Sequence, residues 1–208
     1  MTEERGRFVT VEGIDGAGKT TAVAHLAQRL REAGVDVVTT REPGGTELAE
    51  AVRDLLKGVD GEAPCEDSET LLMFAARAQH LAVTIRPALQ AGQWVICDRF
   101  TDATYAYQGG GRGIERARIA ELERWVQGGR RPDLTLLLDA PAATALERIG
   151  VRDATDRFER EQLDFFERAR AVYLERGQAE PDRFRVIDAS QPLDAVRAAV
   201  VATIAQWR

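Results

Sequence analysis

Eight residues constrain this chain more than any others. Gly13-Ile14-Asp15-Gly16-Ala17-Gly18-Lys19-Thr20 follows the spacing Gly-x-x-x-x-Gly-Lys-Thr. A β-branched run, Phe8-Val9-Thr10-Val11, precedes it, and apolar residues at helical spacing, Val23, Leu26, Ala27 and Leu30, follow it. The motif is therefore expected to form a loop between a strand and a helix. Backbone N–H groups of such a loop converge in front of a helix N-terminus, where the helix dipole also favours negative charge, so the loop cradles phosphate. Its glycines allow a backbone approach that side chains would block. In this pattern Lys19 reaches the β- and γ-phosphates of a nucleotide, and the Thr20 hydroxyl holds Mg²⁺.

The remainder of the chain alternates strand and helix, which predicts a parallel sheet covered on both faces. Strands are expected at about 7–12, 35–40, 94–97, 134–139 and 184–187. Helices are expected at about 19–33, 46–57, 114–127, 141–149 and 193–207. A long helical stretch capped by Asp67 or Ser68 should reach about residue 91, interrupted or kinked at Pro87. Gly109-Gly110-Gly111 reads as a break before the next helix. Another helix should follow about residue 155 and bury Phe158, Leu163, Phe166 and Val172. No repeat or linker divides the 208 residues, so one domain, 1–208, is expected. Ligands of open α/β sheets bind beyond the carboxyl ends of the strands. The phosphate loop, Arg41-Glu42, Asp98-Arg99 and Asp139 all fall at such ends.

A formal net charge of −6 gives no support to a nucleic-acid or anionic-membrane surface, although a nucleotide meets a local pocket rather than the total. The three tryptophans are scattered and suggest no stacking platform for nucleic acid. Cys65 and Cys97 lack metal-type spacing, and a disulfide framework is not expected. Without an apolar leader or a run of membrane-spanning length, a cytoplasmic location is the default expectation. His25 and His80 have no metal-type partners nearby and read as structural. At the end of its strand, the Asp98 carboxylate can hold Mg²⁺ through water, and the Arg99 guanidinium can grip a phosphate bidentately.

Several further segments then fall in order along the chain. They are Val11-Glu12-Gly13 with the phosphate loop, Arg41-Glu42-Pro43-Gly44-Gly45-Thr46, Phe74-Ala75-Ala76-Arg77, Asp98-Arg99-Phe100, Ala106-Tyr107-Gln108-Gly109-Gly110-Gly111-Arg112-Gly113 and Asp156-Arg157-Phe158-Glu159. Over essentially its whole length the chain resembles thymidylate kinases of the bacterial type, members of the P-loop nucleoside-monophosphate kinases. The resemblance implies a three-layer P-loop NTPase fold with a five-stranded parallel sheet and a small helical lid, here at about 148–157. It implies conversion of dTMP to dTDP with ATP and Mg²⁺, and a homodimer. Gly13, Ile14, Asp15, Gly16, Ala17, Gly18, Lys19 and Thr20 would bind ATP, and Thr20 with Asp98 would hold the metal. Arg99 and Arg41 would hold the dTMP phosphate, Arg77 the thymine, and Gln108 and Thr104 further polar edges of the base. Tyr107 would lie against the deoxyribose where a 2′-hydroxyl would intrude, with Asp15 near the 3′-hydroxyl. Many relatives place an aromatic ring four residues before the arginine; here that residue is Met73, and either Met73 or Phe74 could cover the base.

Members of one branch carry an arginine in the phosphate loop where this chain has Ala17; in the other branch the lid supplies it. Arg148, Arg152 and Arg157 surround the expected lid, so Arg152, assisted by Arg148, is the expected catalytic arginine beside Lys19 and Arg99. A kinase of another small acceptor would use the same phosphate loop. So would a GTP-dependent switch, but the chain has no Asn-Lys-x-Asp guanine signature and a switch has no need of acceptor-site segments.

Overall fold

A computed structural model describes residues 6–57, 62–150 and 157–207. Five strands, β1 (Phe8–Glu12), β2 (Val37–Arg41), β3 (Trp94–Asp98), β4 (Leu134–Asp139) and β5 (Phe184–Asp188), form one sheet in the order β2-β3-β1-β4-β5. Every neighbouring pair is parallel. Val9 stands beside Ile96 on one side and Leu134 on the other, and all three are fully buried. Burial on both faces explains why the central strands are apolar at most successive positions rather than at alternate ones, and the buried Thr10 and Thr135 hydroxyls between them hydrogen-bond each other at 2.9 Å.

Helices α1 (Lys19–Glu32), α2 (Glu47–Leu56) and α3 (Glu66–His80) follow the first two strands. Gly34, at φ +77°, stops α1 next to the expected end at residue 33. Thr46 caps α2, its hydroxyl accepting from the Ala49 N–H at 3.2 Å. The start of α3 corrects the sequence reading. Cys65 is the N-cap, ahead of Asp67 and Ser68, and those two residues lie inside the first turn. The long helix is interrupted before Pro87 rather than at it. A π-helical turn, Leu81–Ile85, joins α3 to α4 (Arg86–Gln90), and the Arg86 N–H bonds to the Leu81 carbonyl five residues back. Proline lacks an N–H and its ring crowds the carbonyl four residues before it; the wider turn accommodates both.

The glycine run gives a larger correction. After α5 (Thr101–Thr104) the chain continues as a π-helical segment, Tyr105–Gly111, so Gly109-Gly110-Gly111 extend a helix instead of breaking it. Helix α8 (Arg157–Ala179) lies across this segment. A Cβ on Gly110 would come within 2.7 Å of Val172 and 2.9 Å of the Arg168 carbonyl, and one on Gly111 would run into the Phe165 ring. Glycine here permits close packing between helices. The layers are completed by α6 (Arg116–Gln127), α7 (Ala142–Arg148) and α9 (Leu193–Trp207). Phe166 and Val172 of α8 are buried as expected and Leu163 is partly buried; Phe158 lies outside the described side chains.

Candidate active site

The register of β1 and β3 sets the floor of the site. Val11 pairs with Asp98, which brings the end of β3 beside the phosphate loop. The Thr20 hydroxyl donates to Asp98 Oδ2 at 2.9 Å. Lys19 is nearly buried and its Nζ donates to the Ile14 carbonyl at 2.8 Å. Burial, with the nearby Arg99 charge adding to it, lowers the Lys19 ammonium to about 8.

Arg99 leaves β3 with φ +69°, the one non-glycine residue in left-handed backbone among the described residues. Three contacts hold it there. Its N–H donates to the Val11 carbonyl at 3.0 Å, and its Nη2 donates to Asp15 Oδ1 at 2.6 Å and to the Tyr107 hydroxyl at 2.9 Å. Tyr107 closes the triangle, its hydroxyl accepting from the Asp15 N–H at 3.0 Å and donating to Asp15 Oδ2 at 3.1 Å. Burial alone would raise the Asp15 carboxyl, but Arg99 and Lys19 outweigh it and hold it below its ordinary value. The next residue is fixed from beneath. The Phe100 N–H donates to Glu12 Oε1 at 2.7 Å, and the Tyr173 hydroxyl donates to Glu12 Oε2 at 2.9 Å. Glu12 is fully buried, and desolvation, reinforced by Asp102, raises it to about 8.

A cleft of about 460 Å³ opens over this floor, bordered by Lys19, Arg41, Arg53, Arg99 and Arg148. Asp15, Glu42 and Asp98 border the same opening, so the five cations leave an excess of positive charge that suits an anion. Arg41 pairs with Glu50 at 2.7 Å, and Arg53 donates to the Pro43 carbonyl at 3.0 Å. Arg53 was missed in the sequence, since it belongs to no motif and reaches the cleft only because α2 turns back over residues 41–46. Asp139 is the opposite case. It ends β4, yet Arg170 of α8 grips it bidentately at 2.7 and 3.0 Å, away from the cleft.

On the α3 side Arg77 is 2% exposed. Its Nε donates to Glu42 Oε2 at 2.7 Å, and its Nη2 donates to Thr104 Oγ1 at 3.0 Å and the Phe100 carbonyl at 3.3 Å. Nη1 is buried and has no hydrogen-bond partner among the described residues. The guanidinium lies 4.8 Å from the centroid of the buried Phe74 ring; Met73, one position back, is only partly buried. Gln108 Nε2 donates to Glu69 Oε1 at 2.8 Å. Buried His80 touches Glu42 and Thr40, and neither it nor Glu42 carried a role in the sequence reading.

Across the phosphate loop, a smaller cleft of about 200 Å³ lies between Ala17 and the turn after β5, bordered by Gln191, Leu193 and Arg197. Arg148 spans the two clefts and donates to the Ala189 carbonyl at 2.9 Å. Residues 151–156, with Arg152, lie outside the described residues, as does the side chain of Arg157.

A phosphate loop between two clefts, with cations on both sides, defines a P-loop phosphotransferase. The family model for thymidylate kinase matches residues 11–200. Thymidylate kinase of Pseudomonas putida (strain W619) is 58% identical over 197 residues, covering 95% of each chain. That of Ectopseudomonas mendocina is 56% identical and covers 96% of this chain and 95% of its own. The crystal structure of thymidylate kinase from Ehrlichia chaffeensis superposes with a TM-score of 0.80 at 36% identity, over 97% of this chain and 99% of that one. This chain belongs to the thymidylate kinase family.

Proposed function

We propose that the two clefts bind the donor and acceptor nucleotides of the family's reaction and that Arg77 reads the acceptor base. The chain phosphorylates dTMP to dTDP with ATP as donor, for dTTP synthesis. The observation that carries the acceptor assignment is Arg77 Nη1. A buried guanidinium N–H without an acceptor is costly, and a thymine carbonyl is an acceptor of the right kind. Thr104 and Gln108 supply the neighbouring polar edge, and the half-buried Met73 is better exposed than Phe74 to cover the ring. Arg99 and Arg41 hold the dTMP phosphate, Tyr107 blocks a 2′-hydroxyl, and Asp15 meets the 3′-hydroxyl.

Backbone N–H groups of Gly13–Thr20 hold the ATP phosphates, and Lys19 exchanges the Ile14 carbonyl for a phosphate oxygen. A dTMP phosphate oxygen is already a nucleophile at neutral pH, so no general base is required. Lys19, Arg99 and Arg148, joined by Arg152 from a lid at 148–157, place positive charge around the in-line transfer. The hard oxygens of Thr20 and Asp98, 2.9 Å apart at the cleft floor, suit Mg²⁺. That ion, when bound with ATP, neutralises phosphate charge. Leu48 and Leu55 on α2, Leu71 on α3 and Trp125 on α6 are exposed apolar residues, and α3 packs against both α2 and α6, which supports a homodimer through these helices. Among the described residues no helix is long and apolar enough to cross a membrane, and both cysteines are free, which supports a cytoplasmic protein.

The test is a coupled ADP-release assay with ATP and Mg²⁺ across dTMP, dUMP, UMP, dCMP and AMP, plus a control without acceptor. The expected result is a strong preference for dTMP. Equal rates with dCMP would remove the role given to Arg77, and ADP release without an acceptor would remove the two-site reading.

A further inference from the structure

A buried chain of side chains stands behind Arg77. Thr40 at the end of β2 meets His80 Nε2 at 2.6 Å, His80 Nδ1 meets Glu42 Oε1 at 3.0 Å, and Glu42 Oε2 accepts from Arg77 Nε at 2.7 Å. Arg77 and His80 share one face of α3 at a spacing of three residues. Both are buried, His80 completely. Glu42 is fixed from its own backbone, its N–H donating to the Asp98 carbonyl at 3.0 Å. The loop closes tightly over the ring, for a Cβ on Gly45 would come within 2.5 Å of His80 Nε2. Thr84 Oγ1 fastens the same loop by donating to the Gly45 carbonyl at 3.0 Å.

We infer that His80 is a positioning residue for base recognition: by occupying one oxygen of Glu42 it fixes the direction in which Arg77 presents Nη1. This rests on the reading of Arg77 given above. A carboxylate grips an arginine side-on through Nε and Nη2 together. In this protein Glu42 takes Nε alone, because its other oxygen is held by the His80 Nδ1 donor. Nη2 is thereby left to Thr104 and Phe100, and these contacts fix the guanidinium plane. Without His80, Glu42 Oε1 is a buried acceptor lacking its donor, and Arg77 Nη2, on the same guanidinium edge as the Nε that Glu42 already holds, is a strong replacement. Closing on Nη2 pulls the guanidinium away from Thr104 and turns Nη1 with it.

The direction of Nη1 has a chemical readout. It donates, so it pairs with a thymine carbonyl and opposes the amino group that cytosine carries at the corresponding ring edge. The ratio of kcat/KM for dTMP to that for dCMP therefore reports its aim, whereas a general loss of packing lowers both together.

Amide side chains separate the two arms of the imidazole, since asparagine reproduces the Nδ1 donor and glutamine the Nε2 position. The experiment measures kcat and KM for dTMP, dCMP and ATP in His80→Asn, His80→Gln, His80→Leu and Arg77→Lys, with melting temperatures alongside. In His80→Leu and His80→Gln the KM for dTMP should rise about tenfold and the dTMP/dCMP ratio fall about tenfold, with kcat and the ATP KM within about twofold. His80→Asn should keep the ratio of the parent. Equal ratios in the asparagine and glutamine variants, or losses confined to melting temperature or kcat, would overturn the inference. Arg77→Lys separates the two levels. If it leaves the ratio intact, the base-reading role of Arg77 fails; if it collapses the ratio while His80→Leu does not, only the His80 inference fails.

Discussion

Glu12 shows how much chemistry one residue beside the phosphate loop can carry. It sits buried at the end of β1 and accepts from the Phe100 N–H and the Tyr173 hydroxyl, so it supports the left-handed turn of Arg99 and ties α8 to it. Burial raises its carboxyl from 4.5 to about 8. Below the unfolded value both states hold the proton. Between that value and about 8 the folded protein keeps a proton that the unfolded chain has released, so stability from this group is lost as pH rises across the window. Glu12→Gln retains an acceptor for Phe100 and cannot titrate. Its melting temperature relative to the parent should climb by about 3 °C or more between pH 5 and pH 8. A constant difference would mean that Glu12 titrates normally. Tyr107 offers a second test at this scale, because its hydroxyl is committed to both Asp15 and Arg99 and its ring occupies the proposed sugar wall. Tyr107→Ala should raise the kcat/KM of UMP relative to dTMP by about tenfold. An unchanged ratio would end its assignment as the sugar gate.

Elements were legible in the sequence where a period or a cap acts locally. Apolar and β-branched segments placed all five strands, and the expected helix end at 33 and start at 46 fall beside Gly34 and at the Thr46 cap. The phosphate loop was legible because backbone chemistry itself demands those glycines. Misreadings arose where a residue answers to a distant neighbour. Gly109-Gly110-Gly111 look like a break, since glycine disfavours helix by about 1 kcal/mol each relative to alanine. Their use is tertiary: Val172, Arg168 and Phe165 of α8 leave no room for a Cβ at the last two. The same reasoning covers Arg53, whose place in the cleft follows from the path of α2, and Glu42, whose pairing with Arg77 spans 35 residues. The two effects at Gly110 have opposite signs, so their magnitudes decide the outcome. Alanine would gain about 1 kcal/mol of helix propensity, but a Cβ pressed against the Arg168 backbone costs about 1–3 kcal/mol of overpacking. Gly110→Ala should therefore lower the melting temperature, by a few degrees in a chain of this size. A rise would show that α8 yields freely at this contact.

At the scale of the molecule, the strand order β2-β3-β1-β4-β5 divides the labour. The phosphate loop leaves the central strand. The β2–β3 side carries Arg41, Glu42, Asp98 and Arg99, and the turn after β5 on the other side borders the smaller cleft. On the proposed reading, the acceptor and donor pockets are built from different parts of the chain and meet over the loop and at Arg148. Their binding constants should respond separately to substitution. Arg53→Ala removes one cation from the wall of the larger cleft, on the β2 side. It should raise the KM for dTMP by about tenfold and leave that for ATP within about twofold. Arg148 borders both clefts and touches the phosphate loop at the Gly16 carbonyl, so Arg148→Ala should instead lower kcat more than it changes either KM. Both follow from one steady-state matrix with ATP and dTMP varied in turn. Arg53→Ala acting on the ATP KM as strongly as on that for dTMP would mean that the clefts behave as one pocket. The strand order would then account for where the residues stand without accounting for how the two substrates are kept apart.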